Sequence, residues 1–368
     1  MKANSLSFIF LSATPVISGL GLVLAQAYEK TFISFSTNLL LILILLTQLK
    51  FTSRRIFSIN AVLIWLLGIS AYFTLFKEYP GSVVRVSNIA AIIMMAMLVS
   101  FICEDKSFKV EKLIYISCVL IVLVSLSYWL SLYGWAPLKW KVFPLWSSSL
   151  FFLTAVTVCC IMFFVQGRII WYIASLLLLI VFSKRGLILF ALLVPFLSLL
   201  NLSLLKKLVF TFFFGGPLIS LLIRYVEAWI ANVNLQIGTS ELSRTSYRSD
   251  LLDLFFATDW NVSAIIFGSG PGASYDLIKY AGFPSYVTSF HNAHVEVLFS
   301  YGVVGYVIFM SYFFLRFSKL TDRSLIMFSL LFVWVFLFES VVTDLSLVMF
   351  IFLLTLGFGV GRKQITPG

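Results

Sequence analysis

The sequence predicts an all-α protein, a polytopic transmembrane helical bundle of about 10–12 spans with one large extramembrane loop. Three observations predict it. The mean hydropathy is +1.05. Hydrophobic residues make up 61% of the 368 residues and charged residues 11%, where a soluble domain carries about 25% charged residues. Apolar runs recur near the ~20 residues that a helix needs to cross a bilayer. The strict alternation of a membrane β-barrel strand is missing from these runs.

Twelve runs can be drawn, at 7–25, 31–48, 57–76, 86–103, 113–133, 146–166, 169–183, 186–205, 208–225, 291–315, 324–341 and 345–361. The seventh is short and broken by Lys184-Arg185, which leaves ten or eleven spans open. Lys2 before the first run and Ala25-Gln26-Ala27 after it imitate a cleaved signal peptide. The charge alternation works with this span retained. Assigning alternate gaps to the cytoplasm from the N-terminus collects 15 of the 26 basic residues there, among them Arg168, Lys206, Lys207, Arg316, Lys319 and Arg323. The positive-inside rule then puts both termini inside and segment 226–290 outside. The organisation is residues 1–225 as N-terminal transmembrane helices, 226–290 as a loop subdomain and 291–368 as C-terminal transmembrane helices.

The net charge of +11 does not gather into a nucleic-acid-binding patch; it marks topology and the bilayer as partner. Cys103, Cys118, Cys159 and Cys160 lie within or beside apolar runs without metal-ligand spacing. No cofactor is expected. Within the loop, Glu241 to Phe256 reads as an amphipathic helix lying on or between the spans. Arg244 and Arg248 are four apart and share its face. Phe267-Gly268-Ser269-Gly270-Pro271-Gly272 follows as a tight turn whose glycines admit close backbone approach to a ligand.

Ionisable residues at membrane depth are costly and mark function. Arg85, Lys184, Arg185, Arg224, Glu339 and Asp344 fall at the outer leaflet. Arg185 stands out because parity puts it on the side where basic residues are disfavoured. Both histidines of the chain, His291 and His294, sit where the polar segment re-enters an apolar run. A capping role at the helix start competes there with proton transfer. At helical spacing His291, His294, Leu298, Gly302 and Gly305 form one stripe, and the two glycines suit close helix packing. Asn292 and Glu296 share the neighbouring face, where Glu296 either orients a histidine or is a buried, protonated carboxyl. His291 and His294 supply too few ligands for zinc, so no metal is expected.

His291-Asn292, nine residues and Gly302-Val303-Val304-Gly305, preceded upstream by Arg185 through Leu189, resemble the O-antigen polymerase and O-antigen ligase superfamily. The order of elements fits as well: many spans, a large periplasmic loop with an arginine-bearing helix, a Phe-Gly-x-Gly turn, then the histidine. The likeness covers roughly residues 150–315. It implies a metal-independent inverting glycosyltransferase of the bacterial inner membrane, with its active site facing the periplasm. Its donor would be an undecaprenyl-diphosphate-linked glycan.

A lipid diphosphate leaving group needs cations in place of a metal. Arg185 and Arg248 are expected to supply them, with Arg244 and Arg85 in support. His291 is the expected base, with Asn292, Glu296 and His294 around the substrate. The first reading is a polymerase of O-antigen or capsule-type repeat units, working beside a chain-length regulator and a flippase. The shared motifs do not separate it from a ligase that transfers glycan to lipid A–core. From another class, a glycan flippase or transporter would need an internal repeat or charges at the midplane. An assembly partner without catalysis would leave the pairing of His291 and Arg185 unexplained.

Overall fold

The computed structural model describes residues 17, 39–40, 110–133, 146–181, 185–219, 221–222, 225–226, 248–270, 273–283, 290 and 292–338. Among them there is helix and no strand. The helices are α1 (Val110–Tyr133), α2 (Trp146–Val165), α3 (Ile169–Val181), α4 (Arg185–Leu199) and α5 (Leu202–Phe214). After these come α6 (Arg248–Ala257), α7 (Val262–Phe267), α8 (Ala273–Tyr280), α9 (Ala293–Phe317) and α10 (Arg323–Phe338). The expected runs at 7–25, 31–48, 57–76, 86–103 and 345–361 lie wholly or almost wholly outside the described residues.

α2 and α10 are buried on all sides over their middle turns, as an all-round apolar stretch in a protein core is. In α2 every residue from Phe152 to Met162 is buried, and in α10 every residue from Leu325 to Val333. α10 is the hub and packs against α2, α4, α5 and α9. Rings fill the seams around it: Phe309 of α9 lies parallel to Phe336 of α10 at 5.6 Å between centroids, and Phe213 of α5 lies 5.8 Å from Phe336 and stacks on Phe313 of α9 at 3.7 Å. The outer faces of α3 and α4 remain apolar and exposed, with Ile170, Trp171, Leu177, Phe196 and Leu199 on them. Among the described residues one helical run, Ala293–Leu315, is long and apolar enough to cross a membrane by length and composition, although Gly302 folds it into two legs.

The helix boundaries differ from expectation at Lys206-Lys207. Both lysines lie inside α5, and the break comes earlier, at Asn201, whose side chain accepts the Leu204 N–H at 2.8 Å. A side-chain oxygen that satisfies an end-of-helix donor starts a helix more decisively than charge ends one. The lysines still mark one end of the bundle. Lys206 Nζ donates to the Ser318 carbonyl in the turn between α9 and α10. Arg323 donates to the carbonyls of Ser198 and Leu200 between α4 and α5.

Segment 226–290 contributes α6, α7 and α8 among the described residues. Its small core is not its own. Leu251, Leu252, Ala273 and Ile278 pack with Phe290, Val295 and Phe299, so the start of α9 completes it. The amphipathic helix expected from Glu241 is described from Arg248 onward.

Candidate functional site

The start of α9 is built around Asn292. Its Oδ1 accepts the N–H groups of His294 at 3.0 Å and Val295 at 3.1 Å, which caps the helix. Its Nδ2 donates to the Leu337 carbonyl at 3.1 Å, in the last turn of α10. One buried amide therefore fixes both where α9 begins and which part of α10 it begins against.

One turn further, Glu296 is fully buried. The Ser274 hydroxyl of α8 donates to its Oε1 at 2.6 Å, and the Phe290 N–H donates to its Oε2 at 3.4 Å. Glu296 thus joins the loop helix α8, the residue before position 291 and α9. Ser274 was not singled out from sequence, since a serine 22 residues away carries no local signal of this partnership.

His294 is buried in a ring-lined niche, with Phe336 edge-on at 4.6 Å and Phe213 at 5.9 Å between centroids. Its Nδ1 is hydrogen-bonded to the Tyr306 hydroxyl at 2.8 Å. Its Nε2 has no hydrogen-bond partner among the described residues. It faces Gly216, where any Cβ would overlap the imidazole.

The bond between His294 and Tyr306 has a consequence for the helix. Twelve residues of straight helix would separate them by about 18 Å along the axis, beyond the combined reach of the two side chains. α9 is therefore folded into two legs. The fold lies at Gly302, with φ 64° and ψ −171°, a conformation essentially restricted to glycine. This corrects the sequence-based stripe: Gly302 does not pack a continuous helix against a neighbour, because it ends one leg and starts the next.

Breaking a helix strands carbonyls, and the Phe267-Gly268-Ser269-Gly270 turn supplies the missing donors. The Ser269 N–H donates to the Phe299 carbonyl at 2.7 Å and the Gly270 N–H to the Ser300 carbonyl at 3.1 Å. A Cβ on Gly268, at φ 83°, would overlap Ser300 and Tyr301, and a Cβ on Gly302 would overlap Ile266 and Gly268. The two glycine motifs are halves of one joint. What approaches the glycine turn is the protein's own backbone, a use of the close approach that its glycines admit.

Arg185 is the first residue of α4 and Arg248 the first of α6; the side chains of both lie outside the described residues. His291, Arg85 and Arg244 lie outside them altogether. The level of Arg185 is nonetheless set by its neighbour. The Gly186 carbonyl accepts Trp334 Nε1 at 3.0 Å, one turn of α10 before Leu337, the partner of Asn292. The starts of α4 and α9 therefore share the end of α10 that is opposite Arg323.

Comparisons with protein-family models, curated proteins and solved structures find no match to this chain.

Proposed function

We propose that this chain is a multi-pass protein of the bacterial inner membrane that transfers glycan at the periplasmic face. In this reading it polymerises O-antigen or capsule-type repeat units from an undecaprenyl-diphosphate-linked donor, without a metal. The observation that supports the reading most is the meeting of two motif segments at one end of α10. Gly186, next to Arg185, is bonded to Trp334, and Asn292, next to His291, is bonded to Leu337. Gly186 and Asn292, 106 apart in sequence, are held one turn apart on a common support. The exposed apolar faces of α3 and α4 support the membrane setting, since a protein in water rarely leaves such contiguous surface uncovered.

The chemistry assigned to these positions is a displacement at the anomeric carbon. The acceptor sugar hydroxyl attacks as its proton passes to His291. The glycosidic oxygen–carbon bond to the donor diphosphate breaks, and the diphosphate leaves with the electron pair. Arg185 and Arg248, with Arg244 and Arg85 in support, take up its negative charge. Attack opposite the leaving group inverts the centre. Asn292 and Glu296 bond the backbone at His294 and Phe290, on either side of position 291 in sequence, which supports the assignment of the base there.

The test is a pair of variants assayed for transfer at equal expression. His291→Ala should lower the rate by about 10²–10⁴, the usual worth of a general base. Arg185→Lys should remain impaired although it keeps the charge, because an ammonium cannot form two parallel bonds to a phosphate. Full activity in both variants would remove these residues from the reaction and the proposal with them.

A further inference from the structure

We infer that α7 and its glycine turn form a re-entrant membrane element whose exposed face meets lipid acyl chains. This rests on the membrane setting proposed above and changes the nature of the loop: part of segment 226–290 sits inside the outer leaflet and is not a domain standing in water.

The polar end of the bundle is the turn at Ser318–Asp322, which carries Lys319, precedes Arg323 and is bonded to Lys206. From Arg323 to Leu337, α10 rises about 21 Å at 1.5 Å per residue. From Phe317 back to Gly302, the second leg of α9 rises about 22 Å. Asn292 is bonded at the level of Leu337, so both ends of the first leg reach a similar height. That leg lies across the bundle. The hydrocarbon core of a bilayer is about 30 Å thick. A leg about 22 Å above the opposite polar boundary therefore lies below the outer surface, and helix tilt only lowers it.

α7 is locked to this level. Its C-terminal turn donates to Phe299 and Ser300, and the Ile266 carbonyl lies against Gly302. Folded backbone is tolerated at that depth where its donors and acceptors are satisfied within the protein, which the joint provides. Exposed, polar Asp259 and Asn261 precede α7, which itself exposes Val262, Ile265, Ile266 and Phe267. Val262 is 72% exposed and Phe267 50%, although each is a side chain that water disfavours. The exposed apolar residues of the second leg, Val303 at 48% and Val307 at 56%, begin at the next position after the joint. The apolar surface of α7 thus continues that of a membrane helix, and lipid is the occupant that covers both.

The test places the photoreactive side chain p-benzoylphenylalanine in the full chain, in vesicles of phosphatidylethanolamine and phosphatidylglycerol. Three variants are compared: Ile265→p-benzoylphenylalanine in α7, the same replacement at Val307 on the second leg, and the same at Lys319 in the polar turn. After irradiation, mass spectrometry should find phospholipid adducts at positions 265 and 307 and at least ten-fold less at 319. Adducts at 307 but not at 265 would overturn the re-entrant element and leave the membrane setting intact. No adducts above the level of 319 at either position would overturn the setting itself. A covalent dimer through position 265 would show that a second copy covers α7, and would also overturn the inference.

Discussion

At the scale of single residues, the start of α9 depends on amide and carboxyl groups that each do more than one job. Asn292 accepts from two backbone N–H groups and donates across to α10. Asn292→Ala should lower stability by about 1 kcal/mol for the cap and about 1 kcal/mol more for the lost buried bond. Asn292→Asp keeps the acceptor and loses the donor, so its midpoint of thermal unfolding in detergent should fall between alanine and wild type. An alanine variant that melts with the wild type would mean that the cap is dispensable. Asn292 and Glu296 stand out in the sequence because they share one helical face beside His291 at the edge of an apolar run. Their partners were not legible. Leu337 contributes a backbone carbonyl, which has no sequence signature, and Ser274 becomes a neighbour of Glu296 only through the packing of α8 on α9.

At the scale of elements, the joint between the glycine turn and the folded α9 ties the loop to the bundle. Gly302→Ala combines a backbone conformation costing of order 1–3 kcal/mol for other residues with a Cβ overlapping Ile266 and Gly268. Gly268→Ala meets the same joint from the other side. Each should reduce the yield of folded, monodisperse protein on size exclusion. Gly282→Ala, a positive-φ glycine whose Cβ would meet nothing, should cost only backbone strain and retain most of the yield. If the variants at 268 and 302 purified as well as that at 282, the joint would not hold the fold together. Hydropathy found α9 and α10 to within a few residues, since both are driven by burial. It missed the fold in α9 because apolar character is the same on both sides of Gly302. The one signal, a glycine inside an apolar helix, also fits helix packing.

At the scale of the whole molecule, the helical character of the described residues was legible from composition and apolar runs, and α1 to α4, α9 and α10 fall on the runs drawn from hydropathy, whereas α5 straddles the gap between two of them. The shift of the break before α5 shows the limit of that reading. Two lysines suggested a gap, yet a long side chain can carry its charge from within a helix to the polar end, as Lys206 does in reaching Ser318. The level shared by α4 and α9 was not legible either, because it is set by Trp334 and Leu337 on a third helix. This shared level carries the functional proposal, so the decisive measurement is of transfer itself. Purified protein in detergent is given an undecaprenyl-diphosphate-linked repeat unit, with no lipid A–core present, and the lipid-linked products are separated by size. The account predicts a ladder of longer lipid-linked glycans. Transfer that appears only when lipid A–core is added would replace the polymerase with the ligase, and no transfer under either condition would contradict the glycosyltransferase reading.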